Sequence, residues 1–109
     1  MHYLFLLYRD ESVQLPFDIV QEQGAFSDDA REQGAYISGD GLDAIATAMT
    51  VRVRDDKVLV TDGPFVESKE VLGGFHILEC DDIDAAIEYA AKNPTSKVGA
   101  VEIRPIMEF

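Results

Sequence analysis

The chain is expected to be one α+β domain built around an antiparallel sheet. Three observations predict this. Short strand-like runs alternate with two helical stretches. One adjacent pair of runs reads as a hairpin. At 109 residues the chain has room for a single core.

Residues 3–8, Y-L-F-L-L-Y, form a continuous apolar and aromatic run that stops at Arg9-Asp10-Glu11. Such a run reads as a strand buried on both faces, hence central in a sheet. Residues 12–33 read as helical. Pro16 suits a first turn. Phe17 and Val20 share a face, as do Phe26 and Ala30. Gly24 weakens the middle, and Ser27-Asp28-Asp29 resembles a new N-cap. The stretch is therefore either one bent helix or two short ones, with Gly34 as C-cap.

Residues 35–38 read as a short strand ended by Gly39-Asp40-Gly41. Residues 47–54 alternate, with Met49, Val51 and Val53 on one face and Thr50, Arg52 and Arg54 on the other, which predicts a half-buried strand. Asp55-Asp56 makes a turn, and residues 58–61 return as the hairpin partner. Asp62-Gly63-Pro64-Phe65 is a turn by composition. Residues 73–80 are a strand with Phe75 and Ile77 on one face and His76 and Leu78 on the other. Asp81-Asp82 opens a helix carrying Ile83, Ala86, Ile87 and Ala90 at helical spacing, and Asn93-Pro94 stops it. Residues 98–106 are the last strand.

Without the hairpin, this order is βαββαβ, the ferredoxin-like split motif. Two helices cover one face of such a sheet. The other face carries apolar residues, which predicts a homodimer through the sheet faces.

Composition narrows the functions. The net charge of −12, from 21 acidic and 9 basic residues, disfavours nucleic acid, because phosphate backbones would be repelled. No apolar run approaches the roughly 20 residues of a membrane span, and the N-terminus lacks the marks of a signal peptide. Cys80 is the single cysteine, so no intrachain disulfide forms. The expectation is a soluble cytoplasmic protein. No phosphate-binding loop or zinc spacing is present, so no cofactor and no metal are expected.

The block V-T-D-G-P-F-V-E-S-K-E-V-L-G-G-F, from Val60 to Phe75, resembles the signature of the DGPF family, a branch of the YCII-related proteins. Asp62, Gly63, Pro64 and Phe65 carry the name. Glu67, Lys69, Glu70, Gly73, Gly74 and Phe75 match the rest. The opening Y-L-F-L-L-Y, the Gly39-Asp40-Gly41-Leu42 segment, the start of the second helix and the final V-E-I-R-P extend the likeness over the whole chain. The resemblance implies a dimeric α–β-barrel, two ferredoxin-like subunits packed sheet to sheet, each with a pocket between the sheet and its covering elements. Some YCII-related relatives are assigned a His–Asp pair in acid–base chemistry, and one acts in breakdown of chlorinated aromatics. Genes of DGPF proteins often neighbour those of extracytoplasmic-function sigma factors, which implies a regulatory link. In the relatives with the pair, the histidine lies on the first helix. Counting back from Gly34, this chain has Gln23 near that place, so the pair is not carried over.

Asp62 is the first candidate for catalysis, as a general base at the head of a turn. The plainer reading is an aspartate bonding local backbone. His76 titrates near neutrality and is its candidate partner; the plainer reading is a packed strand histidine. Phe65, Glu67, Lys69 and Glu70 are candidates for ligand binding, or form a solvated loop. Gly73 and Gly74 read as a bulge or a close approach. Arg52 and Arg54 read as a solvated face or a carboxylate site, and Cys80 as a buried small hydrophobe. Two functions stay open. One is a cofactor-free acid–base enzyme for a small aromatic or carbonyl compound. The other is a dimeric module that binds a small organic ligand or regulates, which the resemblance links to sigma-factor-controlled transcription. The position of Asp62 relative to His76 discriminates them.

Overall fold

The computed structural model describes residues 1–109. Strand β1 (His2–Arg9) alternates as its sequence demands: Tyr3, Phe5 and Leu7 are buried, whereas Leu4, Leu6 and Tyr8 are half-buried on the opposite face. It lies between β5 (Val71–Glu79) and β6 (Ala100–Pro105), with β2 (Tyr36–Gly41) outside β5, giving the antiparallel order β2-β5-β1-β6. This is the arrangement expected of the ferredoxin-like order. The register between β1 and β5 slips where Leu7 faces Gly74 and Tyr8 faces Leu72, so Gly73 is the extra residue of a bulge.

Helix α1 (Ile19–Glu32) begins later than the sequence pattern predicts. The Asp10 carboxylate accepts from the backbone N–H and the hydroxyl of Ser12, and this local turn holds residues 10–13 out of a helix. Asp18 is the actual N-cap, accepting from the N–H groups of Val20 and Gln21. The helix then runs through Gly24 without a break. Ser27 does not start a new helix, because its hydroxyl donates to the Gln23 carbonyl one turn back at 3.1 Å. Gly34 ends the helix at φ +74°, with the Gly34 N–H on Arg31 and the Ala35 N–H on Ala30, a Schellman arrangement.

Strand β2 continues through Gly39-Asp40-Gly41 instead of ending there. A Cβ at Gly39 would lie 2.7 Å from both His76 Nδ1 and the Phe75 carbonyl oxygen, so glycine permits the pairing and does not interrupt it. A short 3₁₀ turn (Ile45–Thr47) leads to the hairpin of β3 (Met49–Arg54) and β4 (Lys57–Asp62). Asp55 and Asp56 both take positive φ, 52° and 62°, as a two-residue primed turn requires. The predicted half-burial of β3 is not found in the single chain. Met49, Val51, Val53, Val58 and Val60 share one ribbon face, and each is more than half exposed. The hairpin forms its own two-stranded sheet apart from the main one. The radius of gyration is 15.7 Å, against about 13 Å for a compact chain of this length.

Helix α2 (Ile83–Lys92) is capped by Asp82, whose carboxylate accepts from the Ala85 N–H at 2.9 Å. It buries Ala86 and Ala90 but leaves Ile83 and Ile87 largely exposed. Asn93-Pro94 ends it, and a four-residue helix α3 (Thr95–Val98) takes up Val98, expected to open the last strand. The core lies between the helices and one sheet face: Tyr3, Phe5 and Leu78 from the strands, Phe26 and Ala30 from α1, Ala86 and Ala90 from α2, with Cys80 beside them. On the other sheet face lie Leu4, Leu6, Tyr8, Phe75 and Ile77, half-buried and uncovered by any helix.

Candidate functional site

Strand alternation turns His76 to the helix side of the sheet, beside Leu78. It is 5% exposed, and Phe26 of α1 packs against it with ring centroids 4.8 Å apart. Its Nε2 lies 2.8 Å from Gln23 Oε1. The Gln23 amide donates to Asn93 Oδ1 at 3.0 Å and to Thr95 Oγ1 at 2.9 Å, while Asn93 Nδ2 donates to Gln23 Oε1 at 2.9 Å. The Thr95 N–H donates to Asn93 Oδ1 at 2.9 Å. Asn93 and Thr95 are almost wholly buried. The helix stop Asn93-Pro94 thus brings two polar side chains beneath α1, where Gln23 joins them to the strand histidine.

One atom of this network is left over. His76 Nδ1 is buried and has no hydrogen-bond partner, an arrangement that costs about 1–3 kcal/mol. Burial lowers the imidazole pKa from 6.5 to about 4, because the charged ring loses its hydration. His76 is therefore neutral at pH 7.

A cavity of about 500 Å³ opens between α1 and the sheet, with His76 and Gln23 at its wall. Leu7, Ile19 and Tyr36 supply apolar lining, and Gly24, Gly39 and Gly74 keep it open. Its rim is charged. Arg31 pairs with Asp28 at 3.1 Å and lies over the Tyr36 ring at 4.3 Å. Glu11 accepts from the Ile45 N–H at 3.1 Å. The volume falls within the range of small-ligand pockets.

The residues singled out in the sequence are divided by the fold. His76 lines the cavity. Asp62 does not: it closes β4 opposite Met49, exposed, and no hydrogen bond joins it to His76. Phe65, Glu67, Lys69 and Glu70 also lie outside the cavity lining and are exposed. Phe65 stacks under the Arg52 guanidinium at 4.7 Å. Arg52 is thereby engaged with an aromatic ring. Cys80 is buried, and burial pushes its thiol pKa up, away from reactivity.

Sequence reasoning missed Asn93, Thr95, Tyr36 and Gly39 as parts of a site. Asn93 carried only the signal of a helix stop. Gln23 was marked solely by its position near the family's helix histidine.

The YCII-related domain model matches residues 1–109. An uncharacterised protein of Rhizobium meliloti (strain 1021) is 32% identical over 114 residues, covering 97% of this chain and 92% of the relative.

Proposed function

The chain belongs to the YCII-related family, and from that premise we propose that it is a small-molecule-binding protein whose ligand occupies the cavity at His76. The observation that carries this reading is an unpartnered acceptor atom, His76 Nδ1, on a buried side chain in the wall of a cavity of about 500 Å³. An unpaired buried acceptor favours any occupant able to donate to it.

Acid–base catalysis is the second reading, and the same nitrogen speaks for it. The magnitude weighs against it. An efficient general base has a pKa near the working pH, whereas His76 is held near 4. The neutral ring accepts hydrogen bonds at pH 7 but is a weak base, and within one chain no carboxylate raises it. Binding is therefore the stronger reading.

The binding unit is a homodimer. Support comes from the uncovered sheet face, with Leu4, Leu6, Tyr8, Phe75 and Ile77, and from the exposed apolar face of the hairpin. An isolated two-stranded ribbon is marginal in water, so these valines need cover. Sedimentation at micromolar concentration is expected to give a dimer; a monomer would sink this part of the proposal.

The test of binding is a thermal-shift screen of small aromatic and carbonyl metabolites on wild type, His76→Leu and Asp62→Asn. Hits are expected to survive Asp62→Asn and to vanish in His76→Leu, since stabilisation requires preferential binding to the folded state. Hits kept in His76→Leu would move the ligand elsewhere. Turnover of a hit would restore the catalytic reading.

A further inference from the structure

The orientations around His76 depend on one another, and a backbone group sets them all. The Thr95 N–H can only donate, so the Asn93 atom it meets at 2.9 Å is the carbonyl oxygen. That turns Asn93 Nδ2 towards Gln23, and the atom receiving it, also at 2.9 Å, is Gln23 Oε1. Gln23 Nε2 then spends both hydrogens, on Asn93 Oδ1 and Thr95 Oγ1. The atom facing His76 Nε2 at 2.8 Å is an acceptor, and the histidine nitrogen opposite it must donate. In a neutral ring the other nitrogen then bears a lone pair and no hydrogen.

We propose that the Thr95–Asn93–Gln23 relay locks His76 as its Nε2–H tautomer, and that Nδ1 is the recognition atom for the neutral hydroxyl group of a small ligand. This rests on the binding reading above and narrows its ligand class. An anionic oxygen brings no hydrogen to Nδ1 and meets its lone pair, so a carboxylate or phenolate is selected against. A hydroxyl brings the donor that the site lacks. Gly39 borders the same atom: a Cβ there would lie 2.7 Å from Nδ1 and 3.0 Å from the Tyr36 hydroxyl. The glycine lies on β2, an edge strand bonded only to β5. Nδ1 is buried beside Gly39, so the scheme requires this strand to give outward for a ligand to reach it. The Tyr36 hydroxyl, whose bond to the Gly39 carbonyl is long at 3.5 Å, is placed to donate to the same ligand oxygen. Asn93 touches no ligand in this scheme and is a positioning residue.

The experiment reads the imidazole nitrogens of the full chain by two-bond proton–nitrogen NMR, free and titrated with phenol or anisole. The two probes share the aromatic ring and its oxygen, and anisole carries a methyl group where phenol carries the donated hydrogen. In the free protein His76 Nε2 is expected to resonate as a protonated nitrogen and Nδ1 as an acceptor. Phenol is expected to move Nδ1, and anisole to bind about tenfold more weakly, as loss of one hydrogen bond to a buried acceptor implies. In Asn93→Ser, which retains a polar group, and in the harsher Asn93→Ala, the nitrogen pattern is expected to shift towards a mixture of tautomers. A folded variant with an unchanged pattern would remove Asn93 from the positioning role. An Nδ1–H tautomer in wild type, or equal affinity for phenol and anisole, would overturn the inference while leaving cavity binding intact. Absence of any perturbation at cavity residues by either probe would overturn the recognition role of Nδ1. Failure of the metabolite screen as well would then remove the binding reading itself.

Discussion

The helix-covered side of the sheet and the hairpin with its following loop respond to opposite pressures. On the covered side, Phe5, Leu78, Ala30 and Ala86 are essentially solvent-free, and every buried side-chain nitrogen or oxygen except His76 Nδ1 is bonded. In the hairpin, residues 51–60 are all exposed, although their sequence alternates as cleanly as any in the chain. Alternation therefore reports that a strand has an apolar face; it does not report what covers that face. The charged block after the hairpin carries the most recognisable sequence of the chain, while the built polar site lies elsewhere, among residues with no motif.

That contrast can be broken by substitution, beginning with the largest effect. Leu78→Ala is expected to lose about 3 kcal/mol, since it removes a fully buried side chain. Val51→Ala in the hairpin is expected to change single-chain stability by less than about 0.5 kcal/mol. Urea denaturation measures both, and a concentration-dependent loss for Val51→Ala would mark the hairpin as part of the dimer.

The pH dependence of stability comes next. His76 has a folded pKa near 4, below its ordinary value of 6.5. Between these values the unfolded chain binds a proton that the folded chain refuses, so stability rises with pH through that window. As pH falls from 6.5 to 4 the expected loss is about 3 kcal/mol, and it grows no further below 4. His76→Leu is expected to lose this part of the slope. An unchanged slope would mean that His76 titrates normally.

The glycines sharpen the contrast further. Gly39→Ala forces a Cβ to 2.7 Å from a backbone oxygen and is expected to destabilise by about 1–3 kcal/mol. Gly24→Ala meets open space in the middle of α1 and is expected to stabilise by about 0.5–1 kcal/mol. Thermal denaturation checks the opposite signs. Asp62→Asn is the smallest effect, within about 0.5 kcal/mol, since its carboxylate is exposed and unbonded.

Much of the fold was legible because local rules agreed. The alternation of β1, the Asp55-Asp56 turn, the Gly34 cap and the Ala86/Ala90 face each followed from the sequence. The start of α1 was misread because Pro16 suits a helix, while the Asp10–Ser12 turn that excludes one depends on a side-chain bond. Gly39-Asp40-Gly41 looked like a strand end because glycine usually marks one, and only the approach of His76 shows why it lies within β2. The site was less legible. His76 was visible as a residue type on the right strand face. Gln23 lies 70 and 72 residues from Asn93 and Thr95 along the chain, and no local pattern joins it to them. Asp62 stood out through its motif, but its position at the end of an independent ribbon follows from tertiary structure alone.

The most direct test of the binding site is backbone-amide chemical-shift mapping of the compounds that stabilise the protein. The account predicts perturbations clustered at Gln23, Gly39, His76 and Thr95. Perturbations confined to Asp62 and the loop through Glu70, with those four amides unmoved, would contradict it.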